Sequence, residues 1–515
     1  MSGSRKLYKT VFSVTGVILL AKSAGFIKQM LTAGLFGATV ETDLITLSQN
    51  FTGDLQYVLL QMMLTAFTAL YIREQEESDA HARQFCMDTL NLFFLIAVGL
   101  SVLVTLTAPL IARIIAPSYS ADLSDRLAGY IRLYAPLLIL FVWMAVFQAA
   151  LNARAQFLRG ELTALNQSIL YILICLTFHR SLGVLALPLS FFAQAIWNTL
   201  FLGIGARKYW GGRLRNPLSN PRIQELLRMM LPLLLSSSMV YINQQVDKIL
   251  ASGLGDGVIT AMGYGSTITS LMGTVIISMC SIFFTYVTTW IARDNHTNAA
   301  MLTVRVTAVL IVLFFPVSLL FILCAEDIIS LVFGRGAFQA EAVMQAAHAM
   351  RGYAFSLVPL VLREVFSRLQ YGYQDTRHPA VSSSLGIVVN IVLSIALSPI
   401  LGVFGITLAS SISVMVCGGL NMYFSKKQCP SLRYLEFVKL FPLLALGGLL
   451  CVAGCLLGGR LFQDQPTFVR LLLCCMLGGC GYLTAISPLI WNILRGGGPA
   501  AFLLGQTKPP HQAQD

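Results

Sequence analysis

Charge is missing from this chain over long distances. Between Thr89 and Ile111 there is no Asp, Glu, Lys or Arg. A bilayer core of about 30 Å needs roughly 20 apolar residues in a helix. In lipid the backbone must bond within its own segment, so an isolated apolar run of this kind is a helix. Comparable runs recur to the end of the chain. Of 515 residues 56% are hydrophobic and 11% charged, where a soluble domain carries about 25% charged residues. These features exclude a soluble enzyme, a nucleic-acid binder and a disordered chain. The fold class expected is an all-α polytopic membrane protein with about 14 transmembrane helices. The spans fall near 9–35, 45–71, 84–114, 126–155, 160–180, 184–206, 226–252, 258–291, 299–324, 341–371, 379–399, 402–425, 434–458 and 468–494.

The net charge of +12 has a topological explanation, because Lys and Arg collect in cytoplasmic loops. With the N-terminus inside, the inner segments hold Arg5, Lys6, Lys9, Arg154, Arg159, Arg207, Lys208, Arg213, Arg215, Arg293, Arg377, Lys426, Lys427 and Arg433. The outer segments hold Arg126, Arg180, Arg335, Arg460 and Arg470. Both termini are therefore expected in the cytoplasm. The run after the basic N-terminus carries Lys22 and Lys28 and continues to Phe36, so it reads as a retained helix and not a cleaved leader. Most of the eleven cysteines lie in apolar runs and behave as small hydrophobes. The Cys451–Cys480 group lacks histidines and paired CxxC spacing, so no metal is expected. No HExxH, GxSxG or Walker loop occurs. The chain reads as a non-enzyme with no cofactor and no direct use of ATP.

The connection from Arg207 to Arg222 contains Gly211, Gly212, Pro217 and Pro221 and divides the chain. Gly34-Leu35 recurs as Gly253-Leu254, and Leu182-Gly183-Val184 as Leu401-Gly402-Val403, each 219 residues on. One offset at both ends points to an internal duplication. Six helices per half make the repeats parallel. The domains expected are an N-lobe at 1–206, a linker at 207–225, a C-lobe at 226–425, and two extra helices with a tail at 426–515. Two parallel six-helix lobes suit alternating access, with a substrate site at their seam.

Charges within spans are costly and mark function or pairing. Lys22 and Lys28 lie in the first span, and Gln29 follows Lys22 by seven residues, nearly on one face. Lys22 is about 20 Å along the helix from its basic start, too deep for easy snorkelling. Two lysines facing a cavity attract an anion such as a pyrophosphate. Asp247-Lys248, late in the seventh span, occupies the repeat position of Lys28-Gln29. Its alternatives are a local ion pair or an interface position. Asp54 is deep enough to face a cavity, whereas Asp43 suits a helix cap. Arg132, Arg305, Arg351 and Arg363 read better as interior ion pairs than as ligands, with Arg363-Glu364 pairing to neighbouring helices. Pro109, Pro136, Pro232, Pro316 and Pro359 lie inside spans and permit bending.

Several segments are family-like. Gly25-Phe26-Ile27-Lys28 with Ala33-Gly34-Leu35-Phe36-Gly37 resembles the first helix of the MurJ (MviN) family of lipid II flippases. Phe333-Gly334-Arg335-Gly336-Ala337-Phe338 resembles the segment after that family's ninth helix. Tyr371 to Pro379, then Asn390, resembles its connection between helices 10 and 11, and Ala251-Ser252 also fits. The likeness covers roughly residues 10 to 430. It implies two six-helix lobes plus two helices, a cationic cavity, and a groove for a polyprenyl tail. It also places the chain with the multidrug and oligosaccharide–lipid exporters. The chain departs from the pattern in having Lys22 and Lys28 where the family has arginines, and Gln29 where it has an acid. Two further arginine positions fall near Gln56 and Thr267. Lysine keeps the charge and loses the bidentate fork.

The resemblance implies a bacterial inner-membrane flippase that moves lipid II, a lipid-linked sugar pyrophosphate, to the outer leaflet. The substrate-binding set is then Lys22, Lys28, Gln29, Asp54, Gln56, Lys248 and Thr267. Partners are the lipid-linked substrate, membrane lipids and, as candidates, cell-wall synthases. One chain holds both lobes, so a monomer suffices. The rivals are a flippase for another polyprenyl-pyrophosphate oligosaccharide, a drug/cation antiporter, and a non-transporting cell-wall scaffold.

Overall fold

The computed structural model describes residues 2–213 and 216–492. Arg215 and the tail beyond residue 492 lie outside the described residues, as do the side chains of Arg5, Lys6, Lys9 and Pro232. Every regular element among the described residues is helical. The chain forms two compact units, Met1–Ala261 with Phe333–Ala342, and Met262–Val332 with Val343–Asp515.

The first unit contains α1 (Ser2–Phe36), α2 (Val40–Met62), α3 (Thr68–Glu77), α4 (Asp79–Ile115), α5 (Ala121–Tyr134), α6 (Leu137–Ala153), α7 (Phe157–Leu182), α8 (Ala186–Ala206) and α9 (Pro221–Ala251). A π-turn, Met63–Phe67, makes α2 and α3 one rod. Local sequence sets the starts. Thr39 and Thr42 form a reciprocal capping box on α2, with N–H to hydroxyl distances of 2.8 and 3.3 Å. Ser78 caps α4, accepting from the Ala80 N–H at 3.1 Å. Asn220 caps α9 through the Arg222 N–H at 3.0 Å and donates to the Asp88 carboxylate at 2.9 Å. Of the intramembrane prolines, Pro136 sits at the 42° bend between α5 and α6.

The second unit takes most of α10 (Val258–Ala292), then α11 (His296–Leu323), α12 (Ala325–Phe333), most of α13 (Ala340–Ala354), α14 (Leu357–Gly372), α15 (Arg377–Gln428), α16 (Leu435–Leu461) and α17 (Thr467–Asn492). Its core joins α10, α11 and α14 through Phe283, Phe314, Val361 and Phe366. α16 and α17 pack along each other through glycines: a Cβ on Gly454 would stand 2.6 Å from the Leu477 carbonyl oxygen. In α15 the helix is interrupted at Gly402, with φ 57° and ψ −137°.

The 219-residue offset holds in the backbone. Gly183, with φ 55° and ψ −133°, precedes Gly402 by that distance. Ala155 and Gln374, at φ 56° and 62°, are equally spaced. The first residues of α5 and α13, Ala121 and Ala340, keep the same step, as do the last residues of α6 and α14, Ala153 and Gly372. A left-handed residue at each of two matched positions is a stronger sign of duplication than shared apolar tripeptides.

Among the described residues, eight rods are long and apolar enough to cross a membrane, or nine with the bent α5–α6 pair. Two of them, Phe157–Ala206 and Arg377–Gln428, run 50 and 52 residues. At about 1.5 Å per residue each has room for two crossings, divided at Gly183 and Gly402. Large apolar side chains such as Leu106, Ile400 and Leu449 face outward, as lipid requires. Charged side chains lie within α1, α9 and the α13–α14 pair. They include Lys22 and Lys28, then Asp247 and Lys248, then Arg351, Arg363, Glu364 and Arg368.

Candidate functional site

α1 packs along α7. Gly25 lies at this approach, where a Cβ would stand 3.9 Å from Ser168 Oγ, an ordinary contact. The α1–α7 packing sets Lys28 Nζ over the Tyr171 ring, 4.5 Å from its centroid. A desolvated ammonium gains about 2 kcal/mol from such a face. This cation is held in place while keeping donors to offer. Lys22, nearly two turns earlier, is exposed. Gln29 is half-buried. α1 thus presents one held ammonium and one free to move.

A second group forms where α2 meets α9. Asp54 accepts a hydrogen bond from Gln245 Nε2 at 2.5 Å and faces Lys248 Nζ at 3.6 Å, both at Oδ2. One turn of α9 away, Tyr241 packs on Tyr57 with ring centroids 5.6 Å apart. The Asp54 and Lys248 side chains are mostly buried, so each limits the cost of the other's charge. The contact is longer than a hydrogen bond and leaves Lys248 donors for a ligand. Asp247 is buried. Lys248 pairs across to Asp54 on α2.

The predicted residues fall in separate places. Asp54 and Lys248 meet. Lys22 and Lys28 lie on the α1–α7 side. Gln56 is half-buried on α2, two residues beyond Asp54. Thr267 is on α10 in the second unit, where its hydroxyl donates to the Gly263 carbonyl of its own helix at 3.0 Å. Asp43 is buried and caps a helix other than its own: Oδ1 accepts the Thr260 N–H of α10 at 2.8 Å. Thr39 already holds the start of α2. Arg351 pairs with Glu326 at 2.7 Å. Arg363 pairs with Glu364 on its own helix at 2.8 Å, where a neighbouring helix was expected, and Arg368 reaches the same carboxylate.

Sequence reading missed Gln245 and Tyr171. Gln245 lies three residues before Lys248, on one helix face, and that spacing was an available signal. Tyr171 carried none. It also missed a hub outside the spans. The Arg222 guanidinium bonds Glu74 at 2.7 Å, Glu77 at 3.1 Å and Glu225 at 3.2 Å. Its hydrogen bonds to the Glu74 and Glu225 carboxylates hold this guanidinium above its ordinary pKa.

The two glycine motifs meet in the first unit. The Ala337 N–H donates to the Gly34 carbonyl at 2.9 Å, and Phe26 packs edge-on against Phe333 at 6.3 Å. Gly37 and Gly336 adopt φ 67° and 61° there. A Cβ on Gly37 would stand 2.5 Å from the Ala337 carbonyl oxygen.

Known proteins resemble this chain in sequence and fold. A family model described as Lipid II flippase MurJ matches residues 32–476. A Rhizobium tropici protein named "Probable lipid II flippase MurJ" is 24% identical over 423 residues, 79% of this chain and 78% of its own. A Synechocystis sp. protein of the same name is 24% identical over 430 residues, 80% of each chain. The solved structure "Lipid II flippase MurJ, inward closed conformation" gives a TM-score of 0.78 at 19% identity, covering 93% of this chain and 99% of that one. An inward-facing multidrug resistance MATE family transporter of the MOP superfamily gives 0.66 at 13% identity, covering 82% and 98%. At these identities the two structures speak for the fold alone, a multi-pass helical bundle. The family is one of transporters and not of catalysts. The match over 32–476, which takes in Gly34, Gly37 and Gly336 and the helices from α2 to α16, shows that the chain belongs to the MurJ family of lipid II flippases.

Proposed function

We propose that this chain carries lipid II from the inner to the outer leaflet by alternating access, with the α1 lysines receiving the pyrophosphate. The observation that carries this reading is Lys28 held over Tyr171, with exposed Lys22 on the same helix, in a chain of this family. In a low-dielectric site two ammonium groups attract a diphosphate far more strongly than in water. The Asp54–Gln245–Lys248 group supplies a third cation whose partner can be exchanged, and Gln29, Gln56 and Thr267 contribute polar contacts to the sugar. The lobes are residues 1–206 and 226–425, joined by 207–225. Fourteen crossings leave both termini in the cytoplasm of a bacterial inner membrane. A monomer suffices, and cell-wall synthases are candidate partners to be sought by pull-down.

A second reading has its own support. The family's cations near Gln56 and Thr267 are absent here, which favours another polyprenyl-pyrophosphate oligosaccharide. Native mass spectrometry of the purified protein with lipid II and such a competitor separates the two. Lipid II preference that disappears in Lys22→Ala/Lys28→Ala supports the first reading. Preference for the competitor replaces it with the second. Full flipping by a well-expressed double variant refutes the site.

A further inference from the structure

The second unit contains a cavity of about 500 Å³ that the reading above does not use. It lies among α10, α14 and the two ends of α15. Its charged wall comes from α14 alone. Arg363 grips Glu364 Oε1 through Nε at 3.2 Å and Nη2 at 2.8 Å. Arg368 takes the other oxygen of the same carboxylate. Two guanidiniums thus share one carboxylate, and no other charged residue lines the cavity, so the wall carries one net positive charge.

That charge is incompletely satisfied. A guanidinium has five N–H donors. Nη2 of Arg368 lies 3.4 Å from both the Ile277 carbonyl and Ser281 Oγ, at the outer limit for a hydrogen bond. The rest of the lining is rich in hydroxyls, with Ser367 and Ser383 beside Ser281. Planar forks flanked by small hydroxyls match the oxygens of phosphate esters. The net charge disfavours a cation, and the polar wall disfavours a purely apolar guest. Pro379 and Ser383 lie near the start of α15 and Asn421 near its end. The cavity therefore sits toward the helix ends bearing Arg377, Lys426 and Lys427, whose field enriches anions.

We propose that this cavity is an anion site for a mono- or diphosphate group, with Arg363 and Arg368 as its ligands. The group is either the lipid-linked pyrophosphate or a free phosphate. Only the first source rests on the flippase reading.

The test uses the full-length purified protein and inorganic pyrophosphate as titrant, followed by calorimetry. Arg363→Gln leaves Glu364 paired with Arg368 and makes the wall neutral. Its Kd is expected to weaken by about tenfold or more. Glu364→Gln adds one net positive charge and is expected to tighten Kd several-fold, a gain that a damaged fold cannot produce. If neither variant moves Kd, or the wild type does not bind pyrophosphate, the proposal is overturned. Lys22→Ala/Lys28→Ala should retain pyrophosphate binding. If it loses binding while Arg363→Gln keeps it, the site lies on α1 and the proposal fails. Displacement of bound pyrophosphate by lipid II identifies the headgroup as the source. Undisplaced binding that still responds to Arg363→Gln identifies a free phosphate. A failure of wild-type protein to flip lipid II would remove the flippase reading and leave these titrations standing.

Discussion

Three glycines at the junction of α1 with the 333–338 segment, Gly34, Gly37 and Gly336, should respond differently to one methyl group. Gly37 and Gly336 have φ of 67° and 61°. Alanine in that region costs about 1–2 kcal/mol. At Gly37 the new Cβ also meets the Ala337 carbonyl oxygen at 2.5 Å, and at Gly336 it meets the Gly34 carbonyl oxygen. Both obstacles are backbone and cannot swing aside. Displacing them adds about 1–3 kcal/mol, for a total of about 2–5 kcal/mol at each site. Gly34 is the internal control. It is helical, and a Cβ there lies 3.7 Å from the Arg335 carbonyl oxygen, an ordinary contact. Gly34→Ala should be neutral or slightly stabilising, because alanine is the better helix former. Thermal denaturation of each variant in the same detergent, read by the loss of monodisperse protein on size exclusion, measures the order. With about 2–4 °C per kcal/mol for a unit of a few hundred residues, Gly37→Ala and Gly336→Ala should fall by about 4–20 °C. Equal damage from Gly34→Ala would refute the reasoning, since it would locate the sensitivity in helix packing and not in backbone conformation.

Other perturbations test other parts of the molecule. Arg222→Gln leaves Glu74, Glu77 and Glu225 facing one another. It should cost about 1–2 kcal/mol after allowing for exposure, with the deficit against wild type shrinking in molar salt. Asp375 lies between α14 and α15. Burial pushes its carboxyl pKa up, but hydrogen bonds from the His378 side chain and from the His378 and Arg377 N–H groups outweigh that and hold it below the usual carboxylate value. Its contribution to stability is therefore present above the ordinary carboxylate pKa and lost as pH falls through the depressed value. Melting curves should show Asp375→Asn less stable than wild type at neutral pH, the difference narrowing in acid. Gly454→Val drives a side chain into the Leu477 backbone and should lower the melting temperature by several degrees, whereas Gly459→Ala, which meets nothing, should not.

The helices were legible in the sequence because their causes are local. Apolar runs set the rods, and Thr39, Ser78 and Asn220 mark their starts. The duplication was legible because its marker, Gly183 and Gly402, is a residue type that a positive φ favours. Partners were not legible. Asp43 accepts from a residue 217 positions away and Asp54 from one 191 away, and no local pattern encodes either. Lys28 could be suspected from its depth, but its ring on α7 could not. The two glycine motifs could be matched to a family without any sign that they touch.

The charges within the rods show where function competes with folding. α1, α9 and α13–α14 each carry them. Solvation in lipid would remove such charges if nothing required them. Here they are kept and held: Lys28 by an aromatic face, Lys248 by Asp54, Arg363 and Arg368 by Glu364. Each arrangement neutralises a cation only in part, by a ring, a long contact, or one carboxylate shared between two guanidiniums. A purely structural ion pair gains from complete satisfaction. Partial satisfaction on three separate rods is what the proposed anion sites require, because their cations must be stable while empty and still have donors to give.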